Sequence, residues 1–394
     1  MKKYAALAIA AASVSAAHAQ SSVTLYGIVD AGFVINTNSG GKPLRALTGG
    51  NQSANRFGFT GAEDLGGGLK AIFTLENGFN AANGTLASGL LFSRQAFVGL
   101  SGRYGSVTLG RQYTTLSSFL GPFEAGSDWA ARGTGYAYHP GGLDDIDGSE
   151  RANNSIKFTS ATFSGFQVGG LYSLGGVSGN TTQNEIISFG VNYGYGPFKA
   201  AAAYLFAKNP NFSLFGNNGT SNAPTSANAN NITSPVFSGY ASAASQQVIG
   251  AGASYVVGPA TLGVLYSNTK LNDIGGTSIN GVKPATGLVG STATFNTGEV
   301  NLKYMVTPSL LLGAEYAYTK TSAYMNKSGA SYQQVNVGAD YFLSKLTDLY
   351  LMVLHEKAAG TDSTGKAAVA ALTFATPSNS NQQTVVTFGI RHLF

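Results

Sequence analysis

The chain has 394 residues and a formal net charge of +5, with 43% hydrophobic residues, only 10% charged residues and no cysteine. Soluble domains carry about 25% charged residues, so an ordinary soluble fold is a poor match, and no basic cluster is dense enough for nucleic acid. Twenty tyrosines, 23 phenylalanines and 53 glycines point to an aromatic, glycine-rich β protein whose stability does not depend on disulfides.

Residues 1–19 have the layout of a secretory signal peptide: Lys2 and Lys3, an apolar run at 5–12, and Ala17-His18-Ala19 as the cleavage site. The apolar run is too short to cross a bilayer as a helix, and no later stretch approaches the ~18–20 apolar residues that would. The mature chain is expected to start at Gln20 with a charge of +3, because Lys2 and Lys3 leave. Residues 20–394 are expected to form one domain.

From Ser22 the pattern is period-two alternation, the mark of half-buried strands. Val23, Leu25, Gly27 and Val29 alternate with Thr24, Tyr26, Ile28 and Asp30. Strands follow at 56–60 and 69–76 around a Gly66-Gly67-Gly68 turn, then at 93–100 and 106–111 around Arg103-Tyr104-Gly105, then at 151–159. Further strands are expected at 166–174, 185–193, 198–207, 246–256, 260–268, 295–306, 309–321, 332–343, 347–356 and 382–394. Residues 350–354 are apolar on both faces, and their orientation stays open.

Connections alternate in length: seven are tight and eight are longer and polar, which makes sixteen strands. Short turns on one rim and long loops on the other describe an outer-membrane barrel, and sixteen-stranded closure leaves an aqueous channel. The expected fold is all-β, a transmembrane 16-stranded antiparallel β-barrel. In the last strand, His392, Ile390, Phe388 and Val386 share the face assigned to lipid, and pairing with the first strand would remove the open edge.

Residues 114–150 do not read as a strand. They hold six carboxylates (Glu124, Asp128, Asp144, Asp145, Asp147, Glu150), one arginine, Arg132, and the only tryptophan, Trp129. A long irregular stretch inside a domain is usually functional. We read it as the third long loop, folded inward so that its acids face arginines on the wall. The Asn/Ser/Thr-rich loop 210–245 is expected to be solvated. Its sequons, at Asn218 and Asn231, read as accidents of composition.

Several segments together resemble the general diffusion porins of Gram-negative outer membranes, most closely the β-proteobacterial branch. They are Ser22-Val23-Thr24-Leu25-Tyr26-Gly27, Asn55-Arg56-Phe57-Gly58-Phe59, Glu63-Asp64-Leu65-Gly66-Gly67-Gly68-Leu69-Lys70-Ala71, Ser93-Arg94-Gln95-Ala96-Phe97-Val98-Gly99-Leu100, Gly110-Arg111-Gln112, Asn153-Asn154-Ser155-Ile156 and Arg391-His392-Leu393-Phe394. The resemblance implies a homotrimer of barrels in outer-membrane lipid. It also implies passive diffusion of small hydrophilic solutes and of inorganic or organic anions, with no cofactor. It further implies wall arginines at Arg56, Arg94 and Arg151, Glu76 among them, and a loop carboxylate opposite. Because Pro122-Phe123-Glu124-Ala125-Gly126 departs from the family's Pro-Glu-Phe-Gly-Gly, that acid is Glu124 or Asp128. Ile28 stands where some relatives carry a basic residue, which weakens the positive wall slightly.

The residues themselves agree with a charged constriction. Arg56, Arg94 and Arg151 open alternate strands, about 10 Å apart at ~4.8 Å per strand, and Glu76 lies between them in the chain. Opposed arginines and acids between low-dielectric walls focus a field on passing ions, and a mild anion preference is expected. The six loop acids weigh against it, and the arginines could instead serve only to pin the loop. Arg111 has the parity of the lipid face, where a charge is costly; a subunit interface would resolve this, as would a local bulge turning it inward.

Rival readings are weaker. Asp144-Asp145-Ile146-Asp147-Gly148 lacks the spacing and distal glutamate of a calcium loop, so no metal site is assigned and a solvated acidic turn is expected. Among the histidines beyond the signal peptide, His139 lies near Asp144 and Asp145 but no nucleophile motif accompanies it, so an enzyme is not expected. A substrate-specific channel for a sugar or organic acid is the nearer alternative, and a soluble β-sandwich the more distant one.

Overall fold

Period-two alternation becomes one antiparallel sheet that closes on itself. The computed structural model describes residues 22–216, 230–279 and 281–394; the expected signal peptide and the Asn218 sequon lie outside them. The strands are β1 (Ser22–Ser39), β2 (Lys42–Gly49), β3 (Arg56–Gly66), β4 (Leu69–Gly78), β5 (Gln95–Gly102), β6 (Gly105–Gln112), β7 (Ala152–Ser160), β8 (Phe166–Ser173) and β9 (Ile186–Tyr195). They continue as β10 (Phe198–Lys208), β11 (Ala243–Val257), β12 (Ala260–Ile274), β13 (Ala293–Thr307), β14 (Leu310–Thr321), β15 (Ser331–Phe342), β16 (Thr347–Ala359) and β17 (Gln382–Leu393). β17 returns to β1, with Ile28 opposite Leu393 and Asn36 opposite Val385.

Seventeen segments occupy sixteen places, because β2 and β3 lie end to end along β1, which pairs with β3 through residues 22–28 and with β2 through residues 31–39. The alternation named from the sequence covers residues 23–30, whereas β1 runs on to Ser39 and turns into β2, a hairpin the sequence analysis does not include. Its turn, Gly40-Gly41 at φ 62° and 97°, uses backbone that glycine adopts without strain. Between β2 and β3 the chain is pinned by the buried Asp30 carboxylate. It accepts backbone N–H bonds from Asn51 (3.0 Å), Gln52 (2.8 Å) and Ser53 (2.8 Å), and a bond from the Tyr350 hydroxyl (2.7 Å).

One face of each strand is apolar and exposed, as at Val98, Leu100, Val107, Leu109, Leu349, Leu351, Phe388 and Ile390. The opposite face is buried or lined by polar groups, but it is not uniformly polar. On β10–β12 it carries Leu205, Val248 and Leu265, and on β16 it carries Tyr350, Met352 and Leu354, all buried. The cause is segment 114–150, which packs on them. Its helix α1 (Thr115–Leu120) and the residues after it place Leu116, Phe119, Leu120 and Phe123 against Leu171, Leu205, Val248 and Leu265. Its helix α2 (Ala125–Asp128) leads into Trp129, which joins Val34, Tyr350, Met352 and Leu354. Burying each large side chain in this way contributes on the order of 1.5–3 kcal/mol. The run 350–354 is therefore apolar on both faces because one meets the exterior and the other meets Trp129 and its neighbours.

The loop 210–245 departs from expectation. Around helix α3 (Pro210–Ser213) and beyond, Phe212, Leu214, Phe215, Ile232, Val236, Phe237 and Tyr240 are buried in the same cluster as Leu116. Apolar residues scattered among the asparagines and serines fold these parts down instead of leaving them in solvent.

Candidate functional site

Strand starts set the basic side. Arg56 begins β3, while Arg94 and Arg151 immediately precede β5 and β7. Arg94 Nε lies 2.6 Å from Glu76 Oε1, and its Nη2 donates to the Tyr113 hydroxyl at 2.7 Å. Arg151 donates to the same hydroxyl at 2.9 Å, with its guanidinium carbon 4.5 Å from the Tyr113 ring centroid. Tyr26 donates to the other Glu76 oxygen at 2.8 Å, and Arg56 Nε donates to the Ala54 carbonyl at 3.1 Å. The structure thus brings Arg56, Glu76, Arg94 and Arg151 together, with Tyr113 as a hub the sequence reading overlooked.

A cleft of about 140 Å³ opens on this group and is lined by Arg56, Arg94, Arg151, Tyr113, Arg132 and Asp147, among others. Arg132 comes from the acidic segment but joins the basic side. Four guanidinium groups against one lining carboxylate make the cleft positive.

The acids do not sit as expected. Glu124 is fully buried, accepts bonds from Ser127 Oγ (2.5 Å) and the His139 backbone N–H (3.2 Å), and does not face the arginines. The Ala125 and Gly126 neighbours carry it into the apolar packing of α2. Asp128 is half exposed but ion-pairs with Lys303 on β13, not with Arg56, Arg94 or Arg151. Of the six loop acids, Asp147 is the one that lines the arginine cleft. The Asp144-Asp145-Ile146-Asp147 turn is buried and not solvated.

His139 explains how these acids are tolerated. Its Nδ1 lies 2.6 Å from Asp144 Oδ2, its Nε2 lies 3.0 Å from Glu299 Oε2 on β13, and Glu124 is 4.0 Å away. Ser267 also donates to Asp144 at 2.6 Å. Burial opposes charge on the imidazole, but Asp144 and Glu124, with the bond to Glu299, outweigh it and hold His139 well above its ordinary range. Burial together with Asp147, Asp144 and Glu299 pushes Glu124 well up, against the pull of His139. Burial, Asp147 and Glu150 likewise raise Asp145, and burial with Asp144 nearby pushes Asp147 up to about 6. Asp144 is lowered because His139 overcomes its burial.

Backbone tethers complete the seating of the segment. Gln52 donates to the Trp129 carbonyl at 2.6 Å, Gln246 to Leu143 at 2.6 Å, Gln334 to Tyr138 at 3.0 Å and Asn301 to Phe123 at 2.8 Å. These donors come from around the wall.

Arg111 is buried. Its Nε and Nη2 donate to the Ser93 carbonyl at 2.9 and 2.7 Å, and its Nη1 donates to Asn153 Oδ1 at 2.7 Å. The β6–β7 register shifts between Gly110 and Gln112, and this irregularity presents Asn153 to it. The guanidinium is met within the chain by these oxygens, at the local irregularity expected as one of its two resolutions.

Residues 5–361 match the family model described as Gram-negative porin. Over its whole length the chain is 32% identical to outer membrane porin protein 32 of Delftia acidovorans, covering 99% of that protein. It is 34% identical, over half its length, to an outer membrane porin protein of Bordetella pertussis, covering 57% of that protein. Among solved structures, an anion-selective porin from Comamonas acidovorans aligns with a TM-score of 0.69 at 27% identity, covering 95% of this chain and all of that one.

Proposed function

Because this chain belongs to the Gram-negative porin family and forms an outer-membrane diffusion channel, we propose that anions carry most of its current past Arg56, Arg94, Arg132 and Arg151. The observation that carries this reading is the cleft that collects these four guanidinium groups with a single lining carboxylate, Asp147. Arginine stays protonated at physiological pH, and between low-dielectric walls such a row concentrates the favoured ion. Of the loop acids that weigh against anion preference, Glu124, Asp144, Asp145 and Glu150 are buried and do not line the arginine cleft, Glu124 and Asp144 lying against His139, so they contribute little field to the pore. Segment 114–150 acts as the constriction, and Glu76 orients Arg94.

The anion-selective character of the Comamonas acidovorans porin agrees with this reading. The solutes are small hydrophilic anions, inorganic or organic, moving passively. The assembly proposed with it is a homotrimer; cross-linking in detergent that yields monomers only would remove that part. Arg94→Gln tests the constriction itself: in a planar bilayer the chloride-to-potassium permeability ratio should fall, and an unchanged ratio would take Arg94 out of the filter.

A further inference from the structure

Phe374 stands out in the segment between β16 and β17. Its backbone is left-handed at φ 61°, a strained conformation for a bulky side chain, and such strain persists only where the surroundings over-determine it. Those surroundings are present. Ala371 and Leu372 donate backbone bonds to Glu356 Oε1 (2.5 Å) and Gln383 Oε1 (3.1 Å), and Thr373 Oγ1 donates to the His139 carbonyl at 2.9 Å. Ala375 and Ser378 bond back to Leu372 and Ala370, both at 2.9 Å. Phe374, held out by this frame, is 64% exposed.

Two cavities meet at that ring. Phe374 and Ser149 line both the arginine cleft and a larger cavity of about 340 Å³ that also touches Phe215, Phe237 and Glu150. Tyr138, itself a lining residue of the arginine cleft, packs edge-on against Phe374 with centroids 6.2 Å apart and planes at 78°. An apolar ring is thus presented to water beside four guanidinium groups, at the passage from one cavity to the other.

We propose that Phe374 and Tyr138, with the arginine cleft, form a transient subsite for aryl carboxylates. This rests on the anion-preferring constriction proposed above and names a substrate class for it. An aromatic anion would lay its ring edge-to-face or offset on Phe374 and turn its carboxylate to the guanidinium forks, which match carboxylate geometry. Binding that is weak and shared between a ring contact and a charge contact lets the solute leave, as conduction requires.

The test compares benzoate with acetate as inhibitors of chloride current through the full-length channel in a planar bilayer. Dividing the acetate inhibitory concentration by that of benzoate removes changes in conductance from the readout. The ratio should exceed one in the native channel and fall about two- to tenfold in Phe374→Gly, the range expected for one aromatic contact. It should be retained in Phe374→Tyr. Glycine tolerates φ > 0, so the first variant removes the ring without adding strain. An unchanged ratio in Phe374→Gly, or a native ratio near one, would overturn the subsite. Absence of anion preference in a potassium chloride gradient would instead remove the constriction reading and this inference with it.

Discussion

His139 Nε2 lies 3.0 Å from Glu299 Oε2, joining side chains 160 residues apart. With Asp144 on the other ring nitrogen, the imidazole is a buried cation between acids of the loop and of the wall, and it fastens segment 114–150 to β13.

Removing one partner of a buried ion pair costs about 3–5 kcal/mol, so His139→Gln should lower the heat-unfolding midpoint in detergent at neutral pH. The imidazole is raised above its ordinary value. Its contribution is therefore complete below the unfolded pKa of about 6.5 and is lost as pH rises through the higher folded value. The native channel should lose its advantage over His139→Gln on the alkaline side; equal midpoints at neutral pH would contradict the tether.

Asp147 gives a second pH dependence. Its carboxyl is pushed up to about 6 beside the arginines. As pH falls from 7 to 5 it gains a proton, and the chloride-to-potassium ratio should rise. Asp147→Asn should show the higher ratio throughout and a flat profile. A profile that still bends near 6 in that variant would assign the titration to another group.

Arg132 should matter although it sits on the acidic segment. A charge about 6 Å from a passing ion in water is worth ~0.7 kcal/mol, or about threefold. Arg132→Gln should lower the chloride-to-potassium ratio by about that factor, read from reversal potentials. No change would mean that its side chain does not act on the permeating ion.

Gly313 offers a packing test, because a β-carbon there would collide with the Trp129 ring. Gly313→Ala should cost about 1–3 kcal/mol through overpacking. In a Trp129→Ala background the same change should cost little, since contacting residues couple. Additive losses in the thermal midpoint would show that Trp129 does not rest on β14.

Much of the barrel was legible because lipid on one side and polar lumen on the other impose alternation strand by strand. Leu349 and Leu351 obey it, and so do Phe388 and Ile390. The inner face of 350–354 was not legible, since its apolar character answers to Trp129, more than 200 residues earlier. The Gly40-Gly41 turn carries a hairpin signal of its own in a stretch to which the sequence analysis assigns no strand. Among the expected site residues, Arg56, Arg94, Arg151 and Glu76 lie together because each stands at or within a strand. Glu124 and Asp128 were misplaced because a loop carboxylate's direction depends on partners such as His139 and Lys303, which no local pattern reveals. His139 was noticed beside Asp144, but the wall glutamate that makes it a tether is far along the chain.

If the water-filled passage of this barrel is narrowed at a positive cleft, chloride sets the sign of its reversal potential. The most direct measurement is the reversal potential of the purified channel in a planar bilayer across a potassium chloride gradient. The sign set by chloride is the predicted result. A potential of the opposite sign, or one indistinguishable from zero, would contradict the account.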